Sequence, residues 1–140
     1  MLKLASSYLR QAESRLKNAK DPLKDGTYPY AGRLSQECVE LSLKASLRLV
    51  GIEYPKVHDV SDVLIEVRNR FPEWFKSKVE ELAEISRSLT SKRELAFYGC
   101  EEEYLSPEEA IGRKEAEEAV SKAVEVYDLC EKLYDVLQGR

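Results

Sequence analysis

Apolar residues recur every three or four positions along nearly the whole chain, and no segment alternates in the manner of a half-buried strand. Five prolines divide this pattern into blocks. Because proline begins helices well and continues them badly, each block is expected to be a helix or a pair of helices. The pattern therefore predicts an all-α fold built from five helices.

The second predicted helix, roughly residues 30–50, is apolar around most of its circumference. Its two apolar stripes are separated only by Ser35, Ser42 and Ser46, which are small enough to let another helix approach closely. A single narrow polar stripe remains, formed by Arg33, Glu37, Glu40, Lys44 and Arg48. We therefore expect this helix to be the centre of the fold.

The other helices are predicted over residues 2–19, from 59, from 73 to about 89, and from 106 onwards. The last begins with Ser106-Pro107-Glu108-Glu109, which is typical of a capping box. Its apolar seam comprises Ala116, Val120, Ala123, Tyr127, Cys130, Tyr134 and Leu137. Packing within the bundle or against a partner would both explain a seam of this kind.

Composition and charge narrow the class of protein. A length of 140 residues fits one domain, residues 1–140, and 34% of the residues are charged. No apolar run is long enough for a membrane span or a secretory signal, and the net charge of −4 argues against nucleic-acid binding by bulk electrostatics. Three unpaired cysteines, two of them (Cys38 and Cys130) on apolar helix positions, suggest buried thiols in a reducing cytoplasm.

Most enzyme signatures are absent from the sequence, including phosphate loops, His-Glu-x-x-His and Cys-x-x-Cys. We predict no cofactor and no metal, because one histidine cannot supply the usual di-metal bundle site. That histidine, His58, precedes a predicted helix start. It either packs the helix entrance, beside the first-turn anion Asp59, or contacts a ligand.

The segment 91–104 lacks a clean apolar stripe and combines Arg93, Tyr98 and Gly99. In a helix Arg93 and Tyr98 would point about 140° apart, whereas in a turn both would reach one ligand. Arg93 is suited to holding a phosphate through two parallel hydrogen bonds, and Tyr98 to stacking on a base. Alternatively, Arg93 pairs with a nearby glutamate and Tyr98 fills the core.

An ordered set of residues resembles the HEPN family, and in particular its archaeal and bacterial members. The first part of the set comprises Gln36, Glu40, Lys44, Ala45, Leu47, Gly51, Pro55, His58 and Asp59. The second comprises Arg93-Glu-Leu-Ala-Phe-Tyr-Gly99 and Ser106-Pro-Glu-Glu-Ala. The resemblance covers roughly residues 5–135.

The resemblance implies an up-and-down bundle of four long helices with one short extra helix. It also implies a homodimer that partners a minimal nucleotidyltransferase, often as one half of a toxin–antitoxin pair. Active members are metal-independent ribonucleases in which an Arg-x(4–6)-His motif from each subunit meets at the dimer interface. Arg93 matches the arginine of that motif, but Tyr98 stands where a histidine would be expected. Tyrosine, with a free pKa of about 10, is a poor general base at neutral pH.

Three functions follow from these observations. The leading one is a dimeric nucleotidyltransferase partner with weak or no catalysis, binding a nucleotide or RNA phosphate through Arg93, Tyr98, Lys92 and Lys44. The second is a metal-independent endoribonuclease toxin that uses Arg93 with Tyr98 or His58. The third is a helical interaction module without a ligand, in which the seam of the last helix is the binding surface.

Overall fold

A computed structural model describes residues 2–54 and 56–138. Its helices are α1 (Leu2–Asp25), α2 (Tyr28–Leu49), α3 (Ser61–Glu66), α4 (Glu73–Lys76), α5 (Val79–Tyr98), α6 (Pro107–Ala110) and α7 (Arg113–Leu137), with a 3₁₀ turn at Arg68–Arg70. The predicted all-α bundle is confirmed, since α1, α2, α5 and α7 are long and the described residues contain no strand. Three short helices are present where one was expected. No helix in this part of the chain combines the length and apolar character needed to cross a membrane.

Helix α2 lies at the centre of the bundle, as its sequence predicts. It packs against α1, α7 and α5, and Ser35, Ser42 and Ser46 are completely buried in these contacts. The hydroxyl of Ser35 donates to the Ala31 carbonyl at 2.8 Å, and that of Ser46 donates to the Ser42 carbonyl at 3.2 Å. Two of the three small polar groups are thus hydrogen-bonded inside a tight helix interface, which removes most of the penalty of burying them.

Several helix boundaries differ from those expected. Helix α1 continues to Asp25 instead of ending at residue 19, and it includes Pro22, which is buried. The helix expected over 73–89 is divided into α4 and α5, and the rod expected from 106 is divided into α6 and α7. Pro55, the proline of the motif turn that begins at Gly51, lies outside the described residues.

The largest difference is at the end of α5, which extends nine residues beyond the predicted end and so includes Arg93. It stops at Gly99, whose φ of 71° is unfavourable for a residue with a side chain. Cys100 and Leu105 then exchange two backbone hydrogen bonds of 2.9 Å, which reverse the chain toward α6. Arg93 therefore lies on a helix and not on a loop.

Candidate functional site

The polar stripe of α2 lines a surface cleft of about 280 Å³, called the Arg93 cleft here. Arg93 comes from α5, Arg15 from α1, and His58 from the segment that joins α2 to α3. The residues that line the cleft are Arg15, Glu37, Glu40, Leu41, His58 and Arg93. Three cationic or titratable side chains from separate parts of the chain thus converge on two glutamates of one helix.

Arg93 is fixed by two hydrogen bonds from the same nitrogen. Its Nη1 donates to Gln36 Oε1 at 2.7 Å and to Glu37 Oε2 at 3.3 Å. The other carboxylate oxygen of Glu37 accepts from Arg15 Nε at 3.2 Å. One carboxylate therefore serves two guanidinium groups, which leaves this half of the cleft with an excess of positive charge.

Glu40 organises the other half of the cleft. Its Oε1 lies 2.8 Å from His58 Nδ1 and accepts from Gln36 Nε2 at 3.0 Å, while its Oε2 accepts from Lys44 Nζ at 2.9 Å. Burial raises the pKa of Glu40, but the hydrogen bonds from Lys44, Gln36 and His58 outweigh burial and hold the pKa below its usual value. Glu40 is accordingly an anion at neutral pH, and it orients the imidazole through Nδ1.

Gln36 connects the two halves of the site. Its side chain is almost completely buried, its carbonyl oxygen accepts from Arg93 and its amide nitrogen donates to Glu40. Because both ends of the amide are engaged, Gln36 sets the position of the arginine relative to the carboxylate that holds His58. Gln36 belongs to the ordered set of residues that resembles the HEPN family.

The neighbouring Asp59 has a separate, structural role. Its Oδ1 accepts from the Ser61 backbone N–H at 2.9 Å and from the Ser86 hydroxyl at 2.8 Å, and Ser86 Oγ in turn accepts from the Val60 N–H at 3.1 Å. Burial raises the pKa of Asp59, but these hydrogen bonds lower the pKa by more than burial raises it, so the net shift is downward. The helix entrance is therefore stabilised by Asp59, and the His58 side chain contacts α2 instead.

The structure brings some of the predicted site residues together and separates others. Arg93 and His58 line the cleft, and Lys44 joins them through Glu40. Tyr98 is 69% exposed and lines a different cleft with Glu94, beside the last turns of α5. Lys92 lies in a groove between α5 and α7. Because the segment is helical, its side chains point in different directions, which was one of the two outcomes considered from the sequence.

Arg15, Gln36 and Glu37 line or support the cleft but were not among the candidate residues. Glu37 could have been identified from the sequence, because it lies on the narrow polar stripe of an otherwise apolar central helix. A charged group on such a stripe needs a partner from another helix, and α5 and α1 supply Arg93 and Arg15. Within residues 2–54 and 56–138, no group of three or more His, Cys, Asp or Glu residues is arranged to hold a metal ion.

The fold and the cleft together define a small helical-bundle protein with a polar, arginine-containing site between its central helix and α5. The family model for the HEPN domain matches residues 5–133, and the chain belongs to the HEPN family. The family assignment made from the ordered motifs is thereby confirmed.

One solved structure similar to this chain is the crystal structure of an archaeal HEPN homologue, with a TM-score of 0.70. The two chains are 23% identical, and the similarity covers 93% of this chain and 97% of the other. At that identity the likeness establishes a shared fold. A search of curated proteins gave no significant match.

Proposed function

We propose that this HEPN chain is a homodimeric partner subunit of a minimal nucleotidyltransferase, in a toxin–antitoxin-like pair, and that it binds a nucleotide or RNA phosphate in the Arg93 cleft. The observation that carries the proposal is the placement of Arg93 and His58 in one cleft, with Arg15 beside them. The nucleotidyltransferase partnership and the dimer are supported by family membership.

The chemistry of the cleft suits a phosphate. The hydrogen bonds of Arg93 to described residues both use Nη1, so the remaining N–H groups of the guanidinium can donate to phosphate oxygens in the bidentate manner that arginine favours. The guanidinium is already ordered by Gln36 and Glu37. Because its conformational entropy is lost before binding, less affinity is lost when the ligand arrives.

Weak or absent catalysis is part of the proposal. The family motif places four to six residues between the arginine and the histidine, and the first position at which that histidine could stand is occupied by Tyr98. Its side chain lies outside the Arg93 cleft. A phosphate held by Arg93 would therefore have no motif base beside it from the same subunit.

Binding of a nucleoside 5′-monophosphate, measured by calorimetry, tests the ligand. We expect the wild type to bind, and Arg93→Lys, which keeps the charge but loses the planar donor pair, to bind at least about tenfold more weakly. The matched control is Arg87→Gln, an exposed arginine on the same helix that pairs with Glu84. Equal affinities for the wild type and Arg93→Lys would exclude Arg93 as the phosphate contact.

Light scattering and co-expression test the assembly. The chain alone should have twice the monomer mass at micromolar concentration. Co-expressed with a minimal nucleotidyltransferase encoded in the same genome, it should co-elute with that protein in size-exclusion chromatography. A monomer that does not co-elute would leave the nucleotide-binding part of the proposal standing and remove the partner-subunit part.

The second candidate function, a metal-independent endoribonuclease, is favoured by the bond between Glu40 and His58. With Nδ1 engaged, Nε2 is the nitrogen that can accept a proton from a ribose 2′-hydroxyl. The 2′-oxygen would then attack phosphorus and the bond to the 5′-oxygen would break, giving a 2′,3′-cyclic phosphate and a 5′-hydroxyl that takes its proton from solvent. Arg93 would neutralise the phosphate.

Cleavage of a labelled RNA in the presence of EDTA separates the two candidates. If the chain is a ribonuclease, His58→Ala and Arg93→Ala should each reduce the rate by about 10²-fold or more, and Arg87→Gln should leave it unchanged. Cleavage that persists in His58→Ala would exclude His58 as the base. Binding without cleavage in the wild type would favour the non-catalytic subunit.

A further inference from the structure

Arginine and aromatic side chains alternate on the surface beside the Arg93 cleft. Arg33 Cζ lies 3.8 Å from the centre of the Phe97 ring and 5.5 Å from the centre of the Tyr30 ring. Arg93 Cζ lies 5.1 Å from the same Phe97 ring. We call Tyr30, Arg33 and Phe97 the Phe97 platform. Because Arg93 contacts Phe97 and also lines the cleft, the platform and the cleft are continuous.

Helix geometry explains how the platform forms. Tyr30 and Arg33 are three residues apart on α2, and Arg93 and Phe97 are four apart on α5, so each pair shares a helix face. The two faces meet where α2 packs against α5. Arg33 and Phe97 therefore stack across the helix interface at a typical cation–π distance.

Arg33 is stacked and not hydrogen-bonded at its inner nitrogen. Its Nε is buried without a hydrogen-bond partner among the described residues. The ring of Phe97 compensates in part for this lost hydration, since a guanidinium is weakly hydrated and is attracted to an aromatic face. Both aromatic residues remain partly accessible, since Phe97 is 38% and Tyr30 42% exposed.

We propose that the Phe97 platform binds the bases of single-stranded RNA whose phosphate occupies the Arg93 cleft; this rests on the proposed function. Exposed aromatic rings and guanidinium planes are the surfaces on which unpaired bases stack, and arginine also neutralises adjacent phosphates. The guanidinium groups of Arg33 and Arg93 lie close to the Phe97 ring, so the platform carries positive charge beside its aromatic surface. The alternation of charge and π surface therefore favours a polyanion with stacking bases.

Fluorescence anisotropy with an eight-nucleotide oligouridine, compared with uridine 5′-monophosphate by calorimetry, tests the platform. The wild type should bind the oligonucleotide more tightly than the mononucleotide. Phe97→Ala should weaken oligonucleotide binding about fivefold or more, and Arg33→Gln should weaken it and reduce its salt dependence. Each change should weaken oligonucleotide binding more than mononucleotide binding, because the mononucleotide phosphate is assigned to Arg93, whose guanidinium Phe97 also contacts.

Two controls accompany these variants. Tyr104→Asn removes an aromatic ring that is 92% exposed in the turn after α5, and asparagine tolerates the positive φ at this position. Arg87→Gln removes one exposed positive charge from α5. Both should bind the oligonucleotide like the wild type, and thermal unfolding followed by circular dichroism should show Phe97→Ala to be folded.

Several results would overturn the proposal. One is equal affinity of wild type and Phe97→Ala for the oligonucleotide, and another is an oligonucleotide that binds no better than the mononucleotide. A shift of the monomer–dimer equilibrium in Phe97→Ala without a loss of RNA affinity would assign the platform to protein contact. Failure of the wild type to bind either ligand would instead contradict the proposed function itself, and the platform proposal with it.

Discussion

Glu40 Oε1 lies 2.8 Å from Nδ1 of His58, a residue 18 positions further along the chain. The carboxylate of Glu40 is held in place by the hydrogen bonds that it accepts from Gln36 and Lys44, whereas the His58 side chain is 56% exposed. A well-ordered anion therefore determines which nitrogen of a solvent-accessible imidazole carries the proton. The endoribonuclease candidate uses this relationship, because it presents Nε2 as a base.

The first prediction concerns the tautomer of His58. In the neutral imidazole the proton should reside on Nδ1, from which it is donated in a hydrogen bond to Glu40. A free histidine side chain has no partner that would favour the Nδ1–H form. Because the chain has one histidine, its ring nitrogens can be observed alone in a ¹⁵N correlation spectrum. Glu40→Ala should abolish the preference for Nδ1–H.

The control is Glu84→Ala, which removes an exposed carboxylate on α5 that pairs with Arg87. A predominantly Nε2–H tautomer in the wild type would contradict the geometry described here.

The second prediction concerns the pH dependence of stability. Asp59 has a pKa in the folded state below its ordinary value of 3.8, so its contribution is fully present above that value and is lost as the pH falls through the lower, folded-state pKa. Asp59→Asn should lower the free energy of unfolding by roughly 1 kcal/mol at pH 7, since a charge-assisted hydrogen bond is replaced by a neutral one. In urea unfolding, the difference between variant and wild type should vanish well below pH 3.8.

The control for Asp59 is Asp62→Asn. Asp62 lies in the first turn of the same helix, is exposed, and accepts no hydrogen bond from Ser61 or Ser86. Its replacement should change the free energy of unfolding at pH 7 by only a few tenths of a kcal/mol. If Asp59→Asn and Asp62→Asn have the same pH profile, the two serine hydrogen bonds contribute nothing specific to stability.

The centre of the fold could be predicted from the sequence because α2 carries an unusually complete signal. Almost every position of that helix is apolar or small, so the few charged residues define one stripe whatever the surrounding helices do. The structure adds the partners of the stripe: Arg93 reaches Glu37 across 56 positions of the chain and His58 reaches Glu40. Contacts at such separations depend on how helices pack, and periodicity within one helix contains no information about them.

The end of α5 could not be predicted for a different reason. Only seven of its twenty residues are buried, and Ala96 is the sole one of them beyond Leu89. Because so few of their residues are buried, the last turns of α5 have no apolar stripe from which a helix could be predicted. They are held by the side-chain contacts of Arg93 and Phe97 with α2 and by the turn at Gly99, so the helix and the candidate site are stabilised by the same residues.

The third prediction tests that turn. A Cβ atom placed on Gly99 would lie 2.0 Å from the carbonyl oxygen of Leu105 and 2.7 Å from the carbonyl carbon of Ser106, and the φ of 71° is unfavourable for alanine. Gly99→Ala should therefore lower the free energy of unfolding by more than 1 kcal/mol.

Gly32→Ala is the matched control. Gly32 lies inside helix α2, and a Cβ placed on it would meet Ile111 at an ordinary distance of 3.7 Å. That variant should be more stable than the wild type by about 0.5–1 kcal/mol, because glycine is unfavourable inside a helix. Urea unfolding of the three proteins decides the matter, and a neutral Gly99→Ala would show that the turn is readily displaced.

The fourth prediction concerns the three thiols. Cys38 and Cys130 are completely buried, as their apolar positions in the sequence predict, and burial raises the pKa of each to about 12. At pH 8 only on the order of one in ten thousand of either thiol is the reactive thiolate. Cys100 is partly exposed beside the turn that follows α5. Reaction with Ellman's reagent should therefore show one fast thiol per native chain and three in denaturant, and Cys100→Ser should remove the fast phase.

Because access to Cys38 and Cys130 requires α2 and α7 to separate, their slow reaction should follow the global unfolding rate as urea is added. Two fast thiols in the native protein would mean that this interface opens without unfolding, and the rigid central helix on which the Arg93 cleft depends would then have to be abandoned.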